Sequence, residues 1–360
     1  MLAFRPLSRC LWSVSWIVLA GSACLAARPL TTSAPAPPRG YASTDEVKAA
    51  VGRGEVRLIN LLALTPTHVV VKPDVEYGRV GDISLKLDLY QPRKLERNVP
   101  AILLIHGGAW KSGHRSVYRP YCIKLAERGY VAATVSYRLS GQAPYPAAVH
   151  DVKCAVRWLR ANASALHVDP DRIAAMGGSA GGHLAMMLGY SPKVAELEGD
   201  GGNPRASSRI QAVINFYGPT DLTTPFARVQ PVVVSFMGGR PYEEAQGMYR
   251  QASPLAHLTR DAPPTLILHG TIDDTVPIEQ ADALATRLKE LDVPCEYVRL
   301  EGWPHTMDLA QSVSDYCWYK IDQFLARHLP LPAGATAPAE ETGRPGKSGK
   351  TAPESRAAEP

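Results

Sequence analysis

Three residue types far apart in the chain could together do nucleophilic chemistry: Ser179, the adjacent aspartates Asp273 and Asp274, and His305. A serine hydroxyl is a weak nucleophile until a base takes its proton, and an imidazole with an ordinary pKa near ~6.5 suits that task. The imidazole in turn needs a carboxylate on its other nitrogen, which fixes its tautomer and stabilises the imidazolium. Ser179 lies in Gly177-Gly-Ser-Ala-Gly181, a G-x-S-x-G pattern preceded by the apolar run Ile173–Met176 and followed by Leu184–Leu188. The run reads as a buried strand, entered through the turn-like Asp169-Pro170-Asp171, and the later segment reads as helix. The serine then sits on a sharp strand-to-helix bend, where glycines let the two elements close around it. Glycine-rich bends also bind phosphate or merely pack tightly, so the motif alone leaves the chemistry open. Asp221, after an earlier strand, is the reserve acid.

Acyl transfer also needs donors for an oxyanion. The N–H of Ala180, directly after the serine, is one. Gly107 and Gly108 follow the apolar run Ala101–Ile105 and can supply others, because glycine allows the backbone close to a substrate. His106 reads as a structural partner inside that loop. Trp110 and Trp303 flank the catalytic stretches and could stack on sugar rings, although loop packing accounts for each as well. No cysteine shows metal-ligand spacing, and no stretch calls for a cofactor.

The elements that must position these groups alternate in type. Residues 68–77 and 83–90 are β-rich and joined by a short turn, which predicts an antiparallel start to a sheet. The continuous apolar run Ala101–Ile105 predicts a central strand and Val131–Val135 another buried one, with further strands at Ile210–Phe216, Leu266–Leu268 and Tyr297–Leu300. Between them lie helical patterns over Pro146–Ala163, Pro277–Leu291 and Asp315–His328. Val149, Val152, Val156 and Leu159 share one face of the first. Such alternation predicts an α/β fold, a mostly parallel central sheet with helices on both faces. Glu198–Ser208 and Pro225–Met248 read as insertions over the strand ends, where a lid or pocket wall would form.

The chain has 360 residues, 45% of them hydrophobic and 20% charged, which suits a globular protein with a large core. Its net charge of +5 shows no basic stripe interleaved with aromatics, so nucleic acid is not an expected partner. Residues 1–26 have a basic start, an apolar stretch and small residues near Ala23–Ala27, the layout of a secretory signal. A retained anchor and lipid attachment at Cys24 are the competing readings. The expected organisation is a signal over 1–26, a linker over 27–45, a catalytic domain over 46–330 and a disordered tail over 331–360. Cys122, Cys154, Cys295 and Cys317 would remain after cleavage; buried thiols are expected, with a Cys295–Cys317 disulfide as the alternative.

Taken together, these stretches resemble the α/β-hydrolase carboxylesterases, and most closely the bacterial acetyl esterase and feruloyl-esterase-like branch. The resemblance rests on His106-Gly-Gly-Ala-Trp110, Ser136-Tyr-Arg-Leu139, the segment from Asp151 through Trp158-Leu-Arg160 to Asp169-Pro-Asp-Arg-Ile173, and Gly177-Gly-Ser-Ala-Gly-Gly-His183. His269-Gly-Thr-Ile-Asp273-Asp-Thr-Val-Pro277 and Gly302-Trp-Pro-His305 complete it, over roughly residues 70–329. It implies Ser179 as nucleophile, Asp273 rather than Asp274 as acid, and His305 as base. Ala109 and Gly178 depart from the hormone-sensitive-lipase-like pattern and set the chain apart from that branch. The expected activity is removal of small acyl groups, acetate foremost, from carbohydrate or related esters by a secreted serine esterase. A serine peptidase of prolyl-oligopeptidase type and a silent binding protein on the same fold are the rivals.

Overall fold

The continuous apolar runs set the architecture, because a strand buried on both faces needs helices above and below it. A computed structural model describes residues 34–333 apart from Lys193. The expected signal, Cys24, the first part of the linker and nearly all of the tail lie outside the described residues. Eight strands, β1 (Val69–Val80), β2 (Ile83–Pro92), β3 (Val99–Ile105), β4 (Val131–Val135), β5 (Val168–Gly178), β6 (Ala212–Phe216), β7 (Thr265–Gly270) and β8 (Cys295–Leu300), form one sheet in the order β1-β2-β4-β3-β5-β6-β7-β8. β2 runs antiparallel to both β1 and β4, and every other pairing is parallel. The helices are α1 (Thr44–Gly52), α2 (Arg119–Glu127), α3 (Ala147–Ala161), α4 (Ala180–Tyr190), α5 (Pro231–Phe236), α6 (Tyr242–Gln251), α7 (Glu279–Glu290) and α8 (Gln311–His328).

Alternation along β3 shows how the sheet divides the core. Leu103 and Ile105 join Val149, Val152, Val156 and Leu159 of α3 and the apolar residues of α4 and α7 on one face. Ile102 and Leu104 join Leu125 of α2, Val47 of α1 and Val313, Ile321 and Phe324 of α8 on the other. All of β3 is buried, as its uninterrupted apolar sequence requires.

Three expectations change. The linker drawn to residue 45 gives way earlier: Tyr41 N–H donates to Gly302 O at 2.9 Å, and α1 already starts at Thr44 with Ser43 as its cap. β5 begins at Val168, so Asp169-Pro170-Asp171 lies within the strand, with Asp171 N–H bonded to Asp169 Oδ1. Glu198–Ser208 leads from the far end of α4 back to the start of β6, away from the strand ends that carry Ser179. Glu198 receives the buried ammonium of Lys153 at 2.9 Å and the guanidinium of Arg157 at 3.1 Å, which pins the segment to α3. Cys122, Cys154, Cys295 and Cys317 are free thiols, so the Cys295–Cys317 link is not made.

Candidate active site

β5 delivers Ser179 and α4 leads away from it. The serine backbone has φ 57° and ψ −124°, a left-handed conformation that an L-residue adopts only when its surroundings hold it there. The surroundings do so because the strand and helix approach too closely for side chains. A Cβ on Gly181 would lie 1.9 Å from Ile105 O, and one on Gly177 would lie 2.4 Å from Gly181 O. Ser179 N–H donates to Phe216 O at 2.9 Å, tying the bend to β6. Among the described residues its Oγ makes no hydrogen bond, and the residue is only partly buried. It is free to meet a substrate.

The loop after β3 lies against this bend; a Cβ on Gly107 would come within 2.8 Å of Gly178 O. The N–H groups of Gly107 and Gly108 donate to no backbone carbonyl among the described residues. Ala180, at the first position of α4, has no partner four residues back within the helix. These are the three expected oxyanion donors, on two elements held together. His106 shapes the loop: its Nδ1 bonds Gly107 O at 2.7 Å, its ring stacks on Tyr137 at 4.4 Å, and burial drops its pKa to about 4. Tyr137 OH donates to His106 O at 2.9 Å, and Arg138 pairs with the buried Asp151 of α3 at 2.7 Å. That pairing explains why the Ser136-Tyr-Arg-Leu139 stretch and Asp151 belong with the oxyanion loop.

His305 and Asp273 meet across the ends of β8 and β7. His305 Nδ1 lies 2.6 Å from Asp273 Oδ2, and the imidazole is 15% exposed. Asp273 is buried, and burial alone would raise its pKa. Hydrogen bonds from His269 and His305, the charge of His305 and the Val276 N–H outweigh that and bring it down to about 2. Asp273 Oδ1 also accepts from Thr275 N–H at 2.9 Å. Asp274 is exposed and takes no part in the pair. Asp221 is excluded as the acid, since its Oδ1 accepts from Thr223 N–H at 2.8 Å and Thr223 Oγ1 at 2.7 Å.

Two groups were not singled out in the sequence. His269 Nε2 lies 2.8 Å from Val276 O and 3.2 Å from Asp273 Oδ2; both are acceptors, so this nitrogen carries the proton and helps hold the carboxylate. Its place at the end of β7, four residues before the aspartate, was the available signal. Tyr217 packs its ring on His305 at 4.6 Å, and its OH, like that of Tyr121, donates to the buried Asp308. Burial raises the Asp308 pKa against those hydrogen bonds.

The expected sugar platforms are corrected. Trp110 is 3% exposed, stacked on Phe236 at 4.4 Å, and donates to His183 Nδ1 at 3.2 Å. Trp303 is 2% exposed, edge-on to Tyr41 at 5.6 Å, with Nε1 directed to Pro38 O at 3.4 Å. Neither offers an open ring face. A cavity of about 350 Å³ beside Ser179 and Ala180 is walled chiefly by apolar groups, among them Leu222, Phe226, Val232, Val233 and Pro277. Phe226, Val232 and Val233 come from the second expected insertion, so that one does form a pocket wall. Among the described residues no cluster could hold a metal ion, and no helix is long and apolar enough to cross a membrane.

Comparison with known proteins points the same way. Residues 87–288, more than half of the chain, match the BD-FAE family. The chain is 33% identical to a probable carboxylic ester hydrolase, LipM, of Mycobacterium tuberculosis, over 70% of this chain and 60% of the relative. It is 32% identical to the esterase LipQ of the same organism, over 75% of this chain and 65% of that one. It therefore spans less than two thirds of the length of either. The propionate-bound structure of Thermogutta terrifontis esterase 2 shares 32% identity at a TM-score of 0.63, covering 77% of this chain and 100% of that one.

Proposed function

The chain belongs to the BD-FAE family of α/β-hydrolases, and from that premise we propose that it is a serine hydrolase of carboxylic esters. The observation that carries the reading is the 2.6 Å contact of His305 Nδ1 with Asp273, which leaves Nε2 free to serve Ser179. In the first step Ser179 Oγ bonds to the ester carbonyl carbon and its proton passes to His305 Nε2. The negative oxygen faces the N–H groups of Gly107, Gly108 and Ala180. Collapse breaks the carbon–alkoxy bond, and the departing oxygen takes the proton from Nε2 to leave as the alcohol. Water then attacks the acyl-enzyme, gives its proton to Nε2, and the acid departs as that proton returns to Ser179.

The acyl chain occupies the apolar cavity next to Ser179, which suits acetate, propionate and somewhat longer groups. The burial of Trp110 and Trp303 takes away two possible stacking platforms for a sugar alcohol, while the carbohydrate-ester expectation also rests on the family resemblance. Export rests on the signal-like layout of residues 1–26. The test offers p-nitrophenyl acetate, butyrate and the matching anilides to the protein and to Ser179→Ala. Ester turnover should fall by about 10³-fold or more in the variant, and anilides should be poor substrates. Equal ester rates in both proteins would refute the reading, and faster anilide cleavage would favour a peptidase.

A further inference from the structure

Ser179 and His305 line different cavities. Besides the one beside the serine, a cavity of about 590 Å³ opens on the histidine side, and Asp274 and Thr275 form the ridge common to both. Its far wall comes from the N-terminal segment: Val47 and Val51 on α1, then Val56 and Leu58. Its near wall is the stretch that carries His305, with Trp303, Met307, Leu309 and Ala310. The N-terminal segment is seated there by backbone bonds on both sides, Tyr41 N–H to Gly302 O at 2.9 Å and Ile59 N–H to Leu309 O at 2.9 Å. Lys48, its one cationic lining residue, is paired with Asp45 at 3.0 Å on the outside of α1.

Resting on the esterase reading, we propose that this second cavity receives the alcohol half of the ester, and that the alcohol is an apolar alkyl or arylalkyl alcohol. The departing oxygen has to take its proton from a nitrogen of His305. Asp273 occupies Nδ1, so the transfer comes from Nε2, and the group attached to that oxygen leaves alongside the imidazole. The side that His305 lines is the second cavity. The acyl carbon, bonded to Ser179 Oγ, keeps its chain in the cavity that Ser179 lines. The walls set the chemistry. The polar lining groups Lys48, Asp274, Thr275 and Thr306 are exposed to solvent, and Thr44 is half-buried. Val47, Val51, Met307 and Leu309 offer a sugar hydroxyl no side-chain partner, whereas an alkyl or phenyl group against them would remove apolar surface from water. Leu58, 56% exposed, extends the apolar wall to the mouth.

Two ester series separate the halves: acetates of methanol, butanol, 2-phenylethanol and glucose, and methyl esters of acetic, butyric and hexanoic acids. For the native protein kcat/KM should rise by about tenfold or more from methyl to 2-phenylethyl acetate, with glucose acetate below both. Val51→Trp fills the cavity, and Leu58→Glu puts a charge at its exposed mouth without disturbing the core. Each should abolish the rise, while the relative rates within the methyl-ester series keep their native order. Leu58→Glu alone decides the matter should Val51→Trp fail to fold. An unchanged alcohol profile in the variants, an effect on the acyl series instead, or a native preference for glucose acetate would overturn the assignment. If the native protein hydrolyses no ester and Ser179 does not react with a fluorophosphonate, the esterase reading itself falls.

Discussion

Asp273 sits among donors that favour its charge: His305 Nδ1, His269 Nε2 and the N–H groups of Thr275 and Val276. Its carboxyl is held at about 2 in the folded protein, against ~3.9 for an aspartate in an unfolded chain. A depressed carboxylate stabilises the fold above the unfolded value and loses that contribution as pH falls through the folded one. The size is roughly 2–3 kcal/mol, fully present above about pH 5 and lost progressively as pH falls towards about 1. Urea melts of native protein and Asp273→Asn should therefore differ most at neutral pH and draw together on acidification; a constant gap across pH 2–7 would contradict the linkage. The same substitution should cut kcat by about 10³–10⁴-fold, because the imidazole loses its anchor and tautomer. Asp221→Asn should leave kcat unchanged, since Asp221 is committed to Thr223.

At the scale of elements, the nucleophile depends on β5 and α4 packing without side chains between them and β3. Gly181→Ala would set a methyl group 1.9 Å from Ile105 O, a backbone atom of the central strand that cannot swing aside. We expect a loss above about 3 kcal/mol, or insoluble protein, whereas Gly52→Ala at the end of α1, where a Cβ meets nothing, should fall within about 0.5 kcal/mol. Denaturant melts of the two variants side by side check this. These elements were legible in the sequence because burial on both faces leaves an apolar run and one-sided helix burial leaves a 3.6-residue period. The serine on its bend could be read from the G-x-S-x-G pattern between an apolar run and a helix, whereas the choice of Asp273 over Asp274 came only with the family resemblance. What could not be read depends on partners distant in the chain. Trp110 and Trp303 look like open platforms until His183, Phe236, Tyr41 and Pro38 are seen to cover them. Lys153 and Arg157 look like ordinary helix charges, yet Glu198 arrives to neutralise them in the core. Composition has no access to such pairings.

For the whole molecule, the N-terminal segment decides how much of the chain the site requires. Its Pro- and Ala-rich start has the composition of a tether, and the structure instead packs residues 38–58 over the stretch that carries His305. Gly302 leaves no room beside it: a Cβ there would lie 2.5 Å from Tyr41 N. Gln311 N–H, at the start of α8, donates to Arg57 O at 2.8 Å, so the segment also anchors the helix that follows His305. Removing residues 1–54 would strip Tyr41 from Trp303 and α1 from the cavity it shares with Met307. Exposing one indole and its neighbours costs about 2–4 kcal/mol at ~25 cal/mol per Å². The truncated protein should unfold at lower denaturant, shift its tryptophan emission to longer wavelength while folded, and lose kcat as the His305 stretch loosens. Among the described residues the contacts begin at Pro38, so removing only residues 1–35 should spare them and leave emission and kcat near the native values. If both truncations behave like the native chain in emission and kcat, the N-terminal segment is a passenger and the His305 stretch stands without it.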